Sequence, residues 1–148
     1  MIPAVIERCA GIDIGKKFLV CTVALGPASE DAEMETRKFG TIVSELESLK
    51  KWLEECGCTH VVMESTGVYW KPVFNILEER FAVLLANSQE VKNRKGHKTD
   101  WKDSQWLAHL LRHGMIRPSF IPPRAIRELR DLTRRRKQMI RLGAEERN

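Results

Sequence analysis

The chain has 148 residues, 43% of them hydrophobic and 30% charged, and a formal net charge of +5. That length suits one domain, or one domain with an extension, and a compact domain of this size buries roughly two-thirds of its unfolded surface without a disulfide or zinc staple. No apolar run approaches the roughly 20 residues that span a bilayer, and the opening Met-Ile-Pro-Ala-Val-Ile-Glu-Arg lacks the basic, apolar and small-residue order of a signal peptide, so the expectation is a cytoplasmic protein with no membrane partner.

Arg8–Asp13 and Phe18–Leu25 are short apolar runs separated by Gly15-Lys16-Lys17, which reads as a hairpin. A loop, Gly26–Asp31, leads to a more polar strand at Met34–Phe39, expected as the outermost of a three-strand meander. Ile42, Leu46, Leu49 and Leu53, with Trp52 beside them, recur at helical spacing and predict an amphipathic helix that Gly57 stops. His60–Glu64 is the next strand; its Val61-Val62-Met63 is apolar throughout, as in a strand buried on both faces. Ser65-Thr66-Gly67 turns the chain into a helix over Val68–Arg80, followed by a strand at Phe81–Ala86. Residues 87–98 are polar and basic. Thr99 or Asp100 is expected to cap a helix running to about His113. Pro118, Pro122 and Pro123 interrupt the chain before a basic helix from about Arg124 to the end. Three antiparallel strands followed by alternating helices and strands make a five-stranded mixed α/β sheet.

The charge is uneven. Residues 1–123 balance 16 basic against 16 acidic residues, while residues 124–148 hold nine basic and four acidic and so carry the whole excess. A positive stretch on a neutral body points to a polyanion, nucleic acid first; the plain alternative is a solvated helix face. Cys9 and Cys21 lie in apolar runs and read as small buried hydrophobes. Cys56-Gly57-Cys58 lacks zinc-ligand spacing, and the four histidines are scattered.

Four acids stand apart from the polar helix faces. Asp13 interrupts an apolar strand in Gly-Ile-Asp-Ile-Gly, Glu64 ends the buried Val-Val-Met strand, and Asp100 and Asp103 open a helix three residues apart, on one face. A carboxylate among apolar neighbours needs a compensating partner. Mg²⁺ is one, being held by a few carboxylates, waters and substrate phosphates. A pair of such ions roughly 4 Å apart activates an attacking hydroxyl and stabilises the leaving oxygen in phosphoryl transfer. Each acid also has a structural reading: Asp13 paired with Lys16 or Lys17, Glu64 capping the following helix, Asp100 and Asp103 facing the positive end of a helix dipole.

Three blocks carry a resemblance. Gly11-Ile12-Asp13-Ile14-Gly15-Lys16, Glu64-Ser65-Thr66-Gly67-Val68-Tyr69-Trp70 and Lys98-Thr99-Asp100-Trp101-Lys102-Asp103 resemble the signature blocks of the DEDD transposases, the "IS one-ten" insertion-sequence recombinases related to the Piv invertases. The resemblance implies an RNase H-like (RuvC-like) catalytic domain over residues 1–117, with Asp13, Glu64, Asp100 and Asp103 as ligands of Mg²⁺ (or Mn²⁺). It implies Mg²⁺-dependent DNA strand cleavage and transfer on double-stranded DNA, a bridge RNA as guide and assembly into a homo-oligomer. Residues 118–148 would be a basic helix opening a coiled-coil linker, cut before a carboxy-terminal serine domain. Ser104 departs from the small alanine usual after the last acid.

Lys16 and Lys17 stand beside the first acid, and Lys92, Arg94, Lys95, Lys98 and Lys102 lie around Gly96 in the stretch Asn87–Lys102; both groups suit a phosphate backbone. So do Arg134, Arg135 and Arg136, which interrupt the apolar seam of the last helix, a seam suited to self-association. Tyr69 and Trp70 read as core rather than as base-stacking groups, and of Trp101 and Trp106 at least one should pack. The alternatives are a truncated module that binds guide RNA or DNA without turnover, and an actin-like ATPase, for whose second nucleotide-binding half the chain has no room.

Overall fold

A computed structural model describes residues 4–65, 67–86 and 102–116. The first hairpin forms as the apolar runs dictate: β1 (Arg8–Ile14) and β2 (Phe18–Leu25) pair antiparallel, and the Gly15 amide donates to the Phe18 carbonyl at 2.9 Å across the turn. The polar strand β3 (Glu33–Gly40) lies antiparallel along β2 and takes the outer edge. Helix α1 (Val43–Glu55) follows and ends at Gly57, whose φ of +71° is the left-handed conformation glycine adopts freely. Strand β4 (His60–Ser65) then enters parallel to β1, helix α2 (Trp70–Leu77) crosses over, and β5 (Ala82–Leu85) pairs parallel with β4. The last described element is helix α3 (Asp103–Arg112). The sheet order is β3-β2-β1-β4-β5, so the five-stranded mixed sheet is as expected.

Period-two alternation divides the strands between two cores. On one face Ile12, Ile14, Leu19, Cys21, Val61 and Met63 pack against α1 and α2. On the other, Cys9, Ala24 and Val62 pack against Trp106, Leu107 and Leu110 of α3. Val61, Val62 and Met63 are all fully buried, which explains why β4 has no polar alternation. Trp106 is packing, as expected for at least one tryptophan.

α3 is held at both ends. A Cβ added at Gly11 would stand 2.5 Å from the Ala108 nitrogen and 2.5 Å from the Ser104 carbonyl oxygen, so only glycine lets the helix backbone lie this close to β1. At the far end Arg112 is 1% exposed. Its guanidinium donates to the carbonyls of Glu7 (2.8 Å), Gly26 (3.2 Å), Pro27 (2.9 Å) and Glu30 (3.2 Å), tying α3 to the segment before β1 and to the β2–β3 loop.

Three expectations are corrected. The helix after β4 spans Trp70–Leu77 rather than Val68–Arg80, which keeps Pro72 in its first turn, where the missing amide costs nothing. Tyr69 is 40% exposed rather than core, because it lies ahead of that helix and off its apolar stripe; Trp70 does pack, edge-on to Phe74 at 5.8 Å. The helix expected to run to about His113 starts at Asp103, not at Thr99 or Asp100: Lys102 is extended (φ −67°, ψ 154°) and its amide donates to Gln105 Oε1 at 3.2 Å. Thr99, Asp100 and Trp101 lie outside the described residues, as does the basic helix expected from about Arg124.

Candidate active site

Asp13 and Glu64 come from different strands, and the sheet brings them side by side. In the parallel β1–β4 pair, Asp13 lies directly opposite Glu64. Opposed residues point to the same face with Cβ atoms about 5 Å apart. That face is the one covered by α3, since Asp13 alternates with Gly11 and Glu64 with Val62. Both carboxylate residues are half-buried.

The direction of α3 places the third acid at the same end. Arg112 reaches the Glu7 carbonyl, the Cys9 thiol donates to the Ala108 carbonyl at 3.7 Å, and Ser104 lies over Gly11. Proceeding up β1 therefore means going backward along α3, and the amino end of the helix, with Asp103 at its first position, points toward Asp13 and Glu64. Asp103 is exposed. A buried hydroxyl chain fixes this end: Thr22 Oγ1 lies 2.7 Å from Thr36 Oγ1 and 2.8 Å from Ser104 Oγ, joining β3, β2 and α3. Thr22 is fully buried and Ser104 is 1% exposed, so these hydroxyls satisfy one another away from water. Sequence reasoning missed this role. Its one trace was a threonine inside the apolar run Phe-Leu-Val-Cys-Thr-Val-Ala-Leu. Ser104, noted as a departure from the usual alanine, is here a bonding partner.

The register extends the row of acids in the other direction. Asp13 faces Val20 across β1–β2, and Val20 faces Lys38 across β2–β3, so Lys38, Val20, Asp13 and Glu64 form one line across four strands. Gly11 and Thr22, directly under Ser104, belong to the row below.

Of the sequence-selected basic residues, Lys16 and Lys17 are exposed in the β1–β2 turn, and their carbonyls accept from Thr41 Oγ1 (2.9 Å) and the Thr41 amide (3.1 Å). Lys102 is exposed immediately before α3. Asp100, Lys92, Arg94, Lys95, Lys98, Arg134, Arg135 and Arg136 lie outside the described residues. Among the described residues no three His, Cys, Asp or Glu side chains are grouped so as to hold a metal ion. The register pairs two acids, and Asp103 stands at the helix end above them. No described helix is long and apolar enough to cross a membrane.

The cysteines are all free thiols. Burial pushes Cys9 and Cys58 up to about 12 and Cys21 well above its ordinary value, as expected of packing groups.

A five-stranded sheet in this order, with a helix laid across β1 and carboxylates at adjoining strand ends, defines an RNase H-like fold of the RuvC type. Among solved structures, RuvC from Thermus thermophilus is similar at 15% identity and a TM-score of 0.54, over 76% of this chain and 100% of that one. A Fowlpox virus resolvase, solved with Holliday junction DNA, matches at 12% identity and TM-score 0.45, over 74% and 87% of the two chains. A ROK hexokinase from Thermus thermophilus gives 15% and 0.40, over 66% and 39%. No curated protein matches in sequence. The family model for DEDD transposases (DEDD_Tnp_IS110, described as Transposase) matches residues 10–148. The chain belongs to this transposase family.

Proposed function

We propose that this chain is the metal-dependent catalytic domain of a DNA transposase, cleaving and transferring DNA strands for insertion-sequence mobility. The observation that carries the proposal is the direct register of Asp13 with Glu64 at the end of the sheet toward which the amino end of α3 points.

Two carboxylates opposed on one sheet face set hard oxygen donors close enough together to share a divalent cation. The donor set suits Mg²⁺, a hard ion that takes oxygen ligands, with Mn²⁺ as a substitute. In this reading Asp13 and Glu64 hold the metal, and Asp103 and Asp100 complete its ligands. Bound there, the ion supplies charge stabilisation for the attacking and leaving oxygens of a phosphodiester. The protein's own part is positional. Gly11 lets α3 lie against β1 and the Thr36–Thr22–Ser104 chain holds its amino end, the end from which Asp103 would reach the metal in this proposal. Lys16, Lys17 and Lys102 give exposed positive charge for the DNA backbone. Residues 1–117 are the catalytic domain in this proposal. Residues 118–148 are a basic extension serving a guide RNA and self-association, with Arg134, Arg135 and Arg136 on nucleic acid as Lys92, Arg94, Lys95 and Lys98 are.

The test is calorimetric titration of Mg²⁺ and Mn²⁺ into the chain, with and without DNA, beside the Asp13→Ala/Asp103→Ala double mutant. Binding lost in the mutant, with metal-dependent nicking of duplex or branched DNA by the wild type, supports the proposal. DNA affinity that survives loss of the acids, with no cleavage by the wild type, would establish a binding module instead.

A further inference from the structure

The acids occupy only half of their row. The other half, Val20 and Lys38, lies on the same face of the sheet, above the position where Ser104 of α3 rests over Gly11 and Thr22. One pleat further out on the same face of β2 is Phe18, opposite Gly40, a position without a side chain. Phe18 is 54% exposed, an unusual place for a phenyl ring, and the Lys38 ammonium sits 4.3 Å from its centroid. Lys16 and Lys17 in the adjoining turn are exposed too. Glu45 also stands at this corner, with its Cγ 3.4 Å from a Cβ built on Gly40, and the three lysines outnumber it.

From this placement, and resting on the transposase reading above, we infer that a DNA strand leaving the Asp13–Glu64 pair crosses β2 over Val20, sets a backbone phosphate against Lys38 and stacks one unpaired base on Phe18. The distances allow it: Lys38 is two strands from Asp13, about 10 Å at ordinary strand spacing. The floor between them is the half-buried, uncharged Val20, which neither repels phosphate nor competes for it. A ring exposed beside a cation is the combination that single-strand binders use, with the aromatic taking a base face and the cation the backbone. Stacking on Phe18 requires a base outside the duplex, so the surface selects DNA that is opened next to the cleavage site. DNA is the strand assigned because the row begins at the carboxylates proposed to act on it.

The test uses the full 148-residue chain and four labelled probes of one sequence: single-stranded DNA, duplex DNA, a four-way DNA junction and single-stranded RNA. Fluorescence anisotropy with Mg²⁺ over a range of salt compares the wild type with Phe18→Ala, Phe18→Trp and Lys38→Ala. Phe18→Ala should weaken single-stranded DNA about tenfold and duplex far less, with Phe18→Trp restoring the loss. Lys38→Ala should weaken every DNA and lower the salt slope by about 1. Variants that bind single-stranded DNA like the wild type, in a chain that still binds Mg²⁺ and nicks DNA, overturn this path and leave the transposase reading standing. A wild type that binds no DNA overturns both, and tighter binding of the RNA probe than of its DNA counterpart overturns the choice of strand.

Discussion

The two faces of the sheet are built from the same strands and to different ends. The face under α1 and α2 is apolar from Ala10 to Ile14 on β1 and from Leu19 to Val23 on β2, and every side chain there contributes to packing. The face under α3 is apolar only in its lower half. It then passes through a layer of hydroxyls, Thr36, Thr22 and Ser104, and ends in the row Lys38, Val20, Asp13 and Glu64. Among the described residues one helix covers this side rather than two, with its first residue, Asp103, at the end where the last row lies. The difference teaches how a small sheet combines stability with chemistry: one side is filled for burial, so the other can leave charged groups half-buried at its end.

The sharpest way to break the comparison is to change neighbours that point in opposite directions. Asp13→Asn should reduce metal-dependent DNA cleavage by about 10³-fold or more, the several kcal/mol that a metal site supplies to phosphoryl transfer, with little change in melting temperature. Ile12→Ala, one residue away on the fully buried side, should instead cost about 3 kcal/mol in urea unfolding. Equal loss of stability in both variants would show that the two faces are not divided in this way.

Next in size is Arg112→Met, which leaves four carbonyls at the base of α3 without their donor. The expected loss is about 3 kcal/mol or more, read from the denaturation midpoint. Gly11→Ala drives a methyl into the backbone of α3 at 2.5 Å. It should cost about 2 kcal/mol and also lower cleavage, because the same helix carries Asp103. Ser104→Ala removes one bond of the hydroxyl chain and should cost about 1 kcal/mol; metal affinity that falls further than stability does would show that the chain positions Asp103. The smallest effect is alkaline. Thiols ionise near 8.5 in an unfolded chain, while burial holds Cys9 and Cys58 at about 12 in the fold. Their folded-state pKa values are raised, so the stability they contribute is complete below about pH 8.5 and declines as pH rises toward 12. A Cys9→Ala/Cys58→Ala variant should lose less stability between pH 8 and pH 10 than the wild type does.

The sequence by itself determined the strands, their sequence of types and two of the chemical landmarks. Alternating or continuous apolar runs forced β1, β2 and β4, the helical spacing of Leu46, Leu49 and Leu53 forced α1, and a carboxylate in each of two apolar strands marked Asp13 and Glu64 before any pairing was known. Helix boundaries were less legible, because Pro72 and the extended Lys102 set them through local geometry that periodicity does not record. What the tertiary structure alone decided is which residues meet. Register is a long-range property of the sheet, so only the folded chain puts Asp13 opposite Glu64 and carries the same line through Val20 to Lys38. Close packing decided the rest: in the sequence Gly11 was one residue of the Gly-Ile-Asp-Ile-Gly strand, and it is glycine because the backbone of α3 occupies the space its side chain would fill.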